Sequence, residues 1–122
     1  MDKTEKKEYD LENRTIKFSE DIIVFLKSIR KDEINLPLIK QLIRSATSIG
    51  ANYCEANGAS SKKDFKNKIH ICKKEAKETK YWLQLLAKAN TEHKEIIKKL
   101  WQECHELTMI FSKIVHTIAN KN

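Results

Sequence analysis

Charged and polar side chains that can act together stand in two successive amphipathic segments of the chain. Glu75 and Glu78 share a stripe with apolar residues, which predicts partial burial of their carboxylates. A buried carboxylate needs a cation or several hydrogen-bond donors. Arg44, Ser48 and Asn52 offer such groups on the preceding segment. The sequence therefore predicts a polar clamp between two helices, and this structural role is favoured over a catalytic one.

The preceding segment, residues 41–58, has a polar stripe of its own at helical spacing. Steps of 4, 3, 4 and 3 place five side chains on one face, namely Gln41, Ser45, Ser48, Asn52 and Glu55. Small hydroxyl and amide groups suit close contact with another helix, whereas a solvated face normally carries Lys and Glu. The predicted clamp also includes Glu55, because it continues the same stripe, and the clamp is expected to fix helix register or subunit packing.

Lysine dominates residues 60–80, which hold eight Lys against three acidic residues. Several are spaced by 3, 4 or 7 residues, so part of the set forms a ridge that attracts polyanions such as RNA or DNA. Tyr81 is the one aromatic residue expected near it, which favours phosphate contact over base stacking. Lys-rich helices are also often simple solvated surfaces, and that alternative stays open. The candidate nucleic-acid-binding residues are Lys62, Lys63, Lys66, Lys73, Lys74, Lys77 and Lys80.

Metal, cofactor and catalytic motifs are not found in the sequence. None of the four His is preceded at the third position by Glu, so the Glu-x-x-His motif of di-iron bundles is missing. HExxH, P-loop, GxSxG and dinucleotide-binding patterns are also missing. Cys54, Cys72 and Cys104 lack CxxC spacing and are expected to be buried free thiols. We expect no catalytic residue, no metal and no cofactor.

Four long helices must position these groups. The 122 residues include only two Gly and one Pro, which predicts a single domain of long helices joined by short loops. Apolar residues recur at helical spacing over residues 11–31, 36–57, 62–90 and 92–119, which predicts an antiparallel up-down-up-down four-helix bundle. A seam of apolar and small residues is predicted for the third helix: Phe65, Ile69, Cys72, Ala76, Thr79, Leu83 and Leu86.

Local residues also predict how these helices begin, end and pack. Asn35, Ser61 and Thr91 are expected to cap the second, third and fourth helices. Asn57-Gly58 predicts a left-handed end to the second helix. Gly50 inside that helix predicts close approach of a neighbouring backbone.

Surface features predict the assembly and the compartment. Trp82 and Leu85 lie beside the main seam of the third helix, which predicts that another subunit covers them. No run approaches the roughly 18 apolar residues of a membrane span, so no membrane association is expected. The charged start, MDKTEKKEYD, lacks the apolar segment of a signal peptide, which predicts a cytoplasmic protein.

The pattern of the second and third helices resembles the four-helix-bundle family of ribosomal RNA intervening-sequence proteins, also called the S23 ribosomal protein family. The opening Tyr9-Asp10-Leu11 and a Ser-x-x-Asp-Phe helix start at Ser61 fit as well. The remaining residues of the resemblance are Gln41, Arg44, Ser45, Ala46, Ser48, Ile49, Ala51, Asn52, Glu55, Glu75, Glu78, Tyr81, Trp82 and Leu83.

The resemblance implies subunits that assemble into a homopentameric barrel and brings no active-site residues with it. A similar barrel occurs in the accessory variability determinant of diversity-generating retroelements, which binds nucleic acid and a reverse transcriptase. The leading hypothesis is a non-enzymatic oligomer that binds RNA or DNA through its basic surface. The alternative is a structural or adaptor protein that binds another protein, such as a reverse transcriptase.

Overall fold

A computed structural model describes residues 11–120, and this part of the chain forms four α-helices without a β-strand. They are α1 (Leu11–Ser28), α2 (Asn35–Asn57), α3 (Lys62–Ala89) and α4 (Lys94–Ala119), with a 3₁₀ turn, Thr91–His93, before α4. Each helix packs against the next in the sequence, and α4 packs against α1. The predicted all-α class and four-helix bundle are confirmed. Tyr9, Asp10 and the charged start of the sequence lie outside the described residues.

Contacts between neighbouring helices show that they run antiparallel. Between α2 and α3, Ser45 Oγ lies 2.9 Å from Thr79 Oγ1, and Lys68 Nζ lies 2.8 Å from Glu55 Oε1. Residue numbers therefore rise along α2 while those of their partners fall along α3. Helices α1 and α4 are also antiparallel. Arg14, near the start of α1, contacts Glu103 within α4, whereas Phe25, near the end of α1, packs against His93 just before α4.

The predicted seam of α3 forms the centre of the core. Phe65 is half-buried, and the other six residues of the seam have no exposed surface. Phe18 and Ile22 of α1 and Leu107 and Phe111 of α4 are equally inaccessible. Burial of this apolar surface is the main stabilising contribution to the bundle.

Gly50 allows α1 to approach α2 closely. A Cβ atom added at Gly50 would lie 3.3 Å from Thr15 Oγ1 and 3.5 Å from the Thr15 carbonyl carbon. Even an Ala methyl group there would lie in tight contact with the Thr15 side chain. This close contact favours a Gly, although Gly lowers intrinsic helix stability by about 1 kcal/mol relative to Ala. The predicted close approach of a neighbouring backbone is confirmed.

Two helix boundaries on either side of the first loop differ from the prediction. Helix α1 ends at Ser28 instead of residue 31, because Lys31 turns back and its Nζ donates to the carbonyl oxygens of Leu26 and Ile29. Asn35 does not cap α2. Asp32 accepts the backbone N–H groups at the start of α2 through Oδ1, at 2.8 and 3.0 Å.

The Asn35 side chain instead pairs with Asn90 in the α3–α4 connection. Each amide donates to the other at 2.9 Å, and both residues are buried. The pair joins the two loops at this end of the bundle. Since Asn90 is held there, the chain continues as a 3₁₀ turn, and Thr91 begins that turn instead of capping α4.

The opposite end of the bundle follows the prediction in the end of α2 at Asn57 and the start of α3 at Lys62, but not in the conformation of Gly58. Ser61 caps α3 as predicted, with Oγ accepting from the Asp64 backbone N–H at 3.0 Å. Gly58 ends α2 with φ of −99°, so the predicted left-handed ending is wrong. The Gly58 N–H donates to the Glu55 carbonyl oxygen without that conformation.

Within residues 11–120, no helix is both long enough and apolar enough to cross a lipid bilayer.

Candidate nucleic-acid interface and interhelical clamp

Arg44 of α2 contacts two carboxylates of α3. Its Nη1 lies 3.1 Å from Glu75 Oε2, and its Nη2 pairs with Glu78. Glu78 also accepts a 2.9 Å hydrogen bond from the indole Nε1 of Trp82. Glu75 is only 8% exposed, so its partner cation offsets the free-energy cost of removing the carboxylate from water. Three residues of the predicted clamp therefore lie together between α2 and α3.

The other residues assigned to the clamp are arranged differently. Asn52 Nδ2 donates to the carbonyl oxygen and Oγ of Ser48, each at 2.9 Å, because residues four apart in a helix stack one turn above another. No hydrogen bond in the described part of the chain joins either residue to the α3 carboxylates, in contrast to the sequence expectation. Glu55 pairs with Lys68, nearly two turns from the start of α3.

Ser45 and Thr79 form a buried polar contact that the sequence analysis did not assign to the clamp. Both side chains have no exposed surface, and their hydroxyl oxygens lie 2.9 Å apart. Thr79 Oγ1 also lies 2.8 Å from the Glu75 carbonyl oxygen. Ser45 belongs to the polar stripe of α2, so that pattern did indicate a close helix contact, while its partner stood within an otherwise apolar seam.

Five of the seven candidate Lys lie along one face of α3, and we call them the lysine ridge. Their steps of 4, 7, 4 and 3 residues keep them within a narrow strip about 27 Å long, at 1.5 Å per residue. Lys63 and Lys74 lie about 80–100° around the helix from Lys73, outside that strip. The lysine ridge consists of Lys62, Lys66, Lys73, Lys77 and Lys80.

One end of the lysine ridge borders a cavity between the start of α3 and the end of α4. The cavity has a volume of about 650 Å³ and is lined by Lys62, Lys63 and Lys66 together with Ile118 and Ala119. Helix α4 thus contributes only apolar groups here, while the three cationic side chains come from α3.

Carboxylates of α3 and α4 pair with arginines of α1 and α2. Arg14 of α1 donates to Glu103 at 2.7 and 2.8 Å and to Glu106 at 2.9 Å. These hydrogen bonds raise the pKa of its guanidinium group, and the bonds to Glu103 have the largest effect. Together, Arg14 and Arg44 pair with four of the six acidic residues of α3 and α4: Glu75, Glu78, Glu103 and Glu106.

The paired carboxylates of α3 lie away from the lysine ridge. At 100° per residue, Glu75 and Glu78 are about 140–200° around α3 from Lys73. Negative charge therefore faces α2 on one side of α3, and the lysine ridge occupies the other side. Positive and negative side chains are therefore separated on opposite flanks of α3.

Two aromatic residues of α4 lie beside the lysine ridge. The Trp101 and His105 rings stack with centroids 5.1 Å apart and an interplanar angle of 11°. Lys80 Nζ lies 5.3 Å from the centre of the Trp101 ring and 3.1 Å from His105 Nδ1. The sequence predicted only Tyr81 as an aromatic neighbour of these lysines and did not place Trp101 near Lys80. The sequence shows that Trp101 and His105 are four residues apart on one helix. The packing of α4 against α3 decides that both rings lie next to Lys80.

Trp82 and Leu85, the predicted subunit-contact residues, are half-buried within this single chain. Tyr81 packs edge-on against Trp82, with centroids 4.9 Å apart, and is 53% exposed. Ile71, three turns earlier on the same flank of α3, is 37% exposed. This flank of α3 therefore presents aromatic and aliphatic surface to the outside.

The thiols differ in their surroundings. Burial raises the pKa of both the Cys72 and Cys104 thiols to about 12. Cys54 is exposed, which corrects the expectation of three buried thiols, because it lies on the outer face of α2.

Among residues 11–120, no three His, Cys, Asp or Glu side chains cluster in a way that could hold a metal ion.

This chain is similar to known proteins over most of its length. The family model described as 23S rRNA-intervening sequence protein matches residues 7–113. The chain belongs to the 23S rRNA-intervening sequence protein family. The resemblance found in the sequence is thereby confirmed.

A solved structure agrees with this family membership. The crystal structure of a protein with unknown function from the S23 ribosomal protein family of Bacteroides thetaiotaomicron VPI-5482 is 34% identical in sequence, with a TM-score of 0.78. The match covers 85% of this chain and 96% of the Bacteroides chain. No curated protein sequence matches the chain.

Proposed function

We propose that this intervening-sequence protein is a non-enzymatic, oligomeric helical-bundle protein of the cytoplasm that binds RNA or DNA through phosphate contacts. The supporting observation is the separation of charge on α3. The lysine ridge occupies one flank, whereas Glu75 and Glu78 pair with Arg44 on the opposite flank. Lys side chains that repel one another and have no carboxylate partner among residues 11–120 favour a polyanion as their partner.

The dimensions of the lysine ridge suit a nucleic-acid backbone. It extends about 27 Å along α3, and phosphates of one strand follow each other at spacings of several ångströms, so several contacts can form at once. Binding would gain free energy from the counterions that the phosphates release. Assembly of several subunits would multiply weak contacts into useful avidity.

Salt dependence tests this proposal. We expect a fluorescent 20-nucleotide RNA or DNA to bind at 50 mM salt and to lose at least about tenfold in affinity by 200 mM salt. The double variant Lys73→Gln/Lys77→Gln should reduce the slope of log affinity against log salt by about 1.4, which corresponds to two lost single-strand phosphate contacts. Fluorescence anisotropy measures both quantities.

The double variant Lys27→Gln/Lys40→Gln is the matched control. It removes the same charge from exposed positions of α1 and α2. Equal losses in the two double variants would mean that only net charge matters and would contradict a site on α3. Absence of RNA and DNA binding at 50 mM salt would contradict the proposed function as a whole.

The adaptor alternative has its own supporting observation. Ile71 and Tyr81 expose apolar surface on the flank of α3 that also bears Trp82 and Leu85. Such a surface suits contact with protein, either further copies of this chain, which we propose to form a pentamer, or a different protein such as a reverse transcriptase. Specific protein binding together with no nucleic-acid binding would favour this alternative.

A further inference from the structure

The groove between α3 and α4 next to Trp101 combines an aromatic wall with amide and cationic groups. Its volume is about 290 Å³, which suits a single heterocycle better than an extended ligand. Gln84 and Ala87 line it from α3, and Lys94, Lys98 and Trp101 line it from α4. The Trp101 indole, the side-chain amides of Gln84 and Gln102 and two ammonium groups therefore border one small space.

The Trp101 ring separates this groove from His105. Lys80 Nζ lies close to both His105 and the indole, so Lys80 and His105 are on the same side of the Trp101 ring. His105 follows Trp101 by one helical turn, whereas Lys94 and Lys98 precede it. The groove consequently lies on the side of the indole opposite His105.

A hydrogen bond does not explain where the indole sits. Trp101 Nε1 is buried and has no acceptor among the described residues. Buried donors in proteins are nearly always paired. The polar and aromatic neighbours of the ring are instead His105, which stacks on it, and the nearby Lys80 ammonium group, while the core packs against it as well.

We propose that this groove receives an unpaired base of single-stranded RNA or DNA, which stacks on the Trp101 indole. The inference rests on the proposed function and adds the kind of nucleic acid that is bound. Lys98 and the lysine ridge contact the flanking phosphates, while the Gln84 amide can meet the edge of the base. An aromatic wall within a groove requires a base that has left its helical stack, and this selects single strands.

Comparison of a normal strand with an abasic strand tests this inference. An abasic oligodeoxynucleotide of equal length keeps every phosphate and has no bases. We expect the wild-type protein to bind oligothymidylate about 5- to 150-fold more tightly than the abasic strand, in line with stacking of one base. In Trp101→Leu this affinity ratio should fall towards one, and in Trp101→Phe it should stay near the wild-type value.

Tryptophan fluorescence gives a second readout that does not depend on the stability of a Trp101 variant. In Trp82→Phe, Trp101 is the only tryptophan left. Its emission should be quenched by oligothymidylate and unchanged by the abasic strand, because only a stacked base contacts the indole.

Lys98 and Lys99 offer a matched pair for the phosphate part of the site. They are adjacent on α4, but Lys98 borders the groove with α3, whereas Lys99 borders the groove with α1. Lys98→Gln should lower the salt slope of single-strand binding by about 0.7, and Lys99→Gln should not. Equal effects would place the strand elsewhere.

The outcomes distinguish the two proposals. Salt-dependent binding with equal affinity for the normal and abasic strands, or without quenching of Trp101, overturns base stacking and leaves phosphate binding intact. An absence of binding to both strands at 50 mM salt overturns both. A groove covered by a second copy of the chain would also leave Trp101 unquenched, which contradicts the inference.

Discussion

Two buried thiols illustrate how a single residue responds to its surroundings. Cys72 Sγ lies 3.5 Å from the Ile49 carbonyl oxygen, and Cys104 Sγ lies 3.2 Å from that of Ala76. Both residues have no exposed surface, and burial disfavours the thiolate, which raises the thiol pKa to about 12. These cysteines therefore act as small apolar groups of the core.

The raised thiol pKa predicts a loss of stability at alkaline pH. Unfolded thiols lose their protons near pH 8.5, whereas the folded ones keep them until about pH 12, so the unfolded state binds fewer protons between these values. The free energy of unfolding should fall as pH rises above about 8.5, by about 2 kcal/mol per buried thiol at pH 10. Urea unfolding at pH 8 and pH 10 measures it.

Cysteine variants isolate this effect from other alkaline titrations. Cys72→Ala/Cys104→Ala should be less stable at pH 8 but lose less stability between pH 8 and pH 10 than the wild type. Cys54→Ala, at an exposed position, should keep the wild-type pH dependence. The same loss in the double variant would show that the thiols are not its source.

At the scale of helices, the α2–α3 contact combines an apolar seam with an ionic edge. Ser45 and Thr79 lie within the seam, and Arg44 bridges Glu75 and Glu78 at its border. Ion pairs have a directional requirement that apolar contacts lack. We propose that this clamp fixes the register of α2 on α3.

Loss of one clamp carboxylate should weaken this helix pair. Glu75→Gln should lower the free energy of unfolding by about 1–2 kcal/mol, because Arg44 keeps only one carboxylate and a polar group stays buried. Glu78→Gln should have a smaller effect, since its side chain is 30% exposed. Thermal and urea unfolding provide the measurement.

Glu20→Gln serves as the control for the clamp, because it removes one exposed carboxylate from α1. It should change stability by less than about 0.5 kcal/mol. If Glu75→Gln and Glu78→Gln matched this control in both stability and assembly, the clamp would have no structural role.

At the scale of the whole molecule, the two flanks of α3 differ in chemistry. The lysine ridge lies beside α4, while Ile71 and Trp82 follow the flank nearer α2. A charged flank repels a second identical flank, whereas an apolar flank attracts one. The proposed nucleic-acid surface and the proposed subunit contact therefore fit on one helix without overlap.

A substitution at the proposed subunit contact tests the assembly. Light scattering should give the wild type a mass of about five chains, as proposed for a pentamer. Leu85→Asp should shift it towards a single chain, because a buried unpaired carboxylate disfavours the contact. Val24→Asp, which adds the same charge to an exposed position on α1, should leave the mass unchanged.

Two outcomes would contradict this assignment of the interface. A wild-type protein that stays a single chain would rule out the assembly. Dissociation by Val24→Asp with no effect of Leu85→Asp would move the interface from α3 to α1.

The sequence by itself determined the helices, the buried seam of α3, the Ser61 cap, the close contact at Gly50 and the family. These features depend on helical period and on local backbone chemistry, which neighbours along the chain supply. The residues that join α2 to α3 were found only in part. Arg44, Glu75 and Glu78 meet, but Ser48 and Asn52 satisfy each other within α2.

Only the tertiary structure decided how the α1–α2 and α3–α4 connections are built and which flanks meet. Lys31 folds back on α1, and Asn35 finds Asn90 in a loop 55 residues away. The Lys80–Trp101 contact likewise depends on the rotation and antiparallel order of α3 and α4. Helical period places a side chain on a face of its own helix. The partner of that face is fixed by packing between helices, because distant contacts set the rotation of each rod.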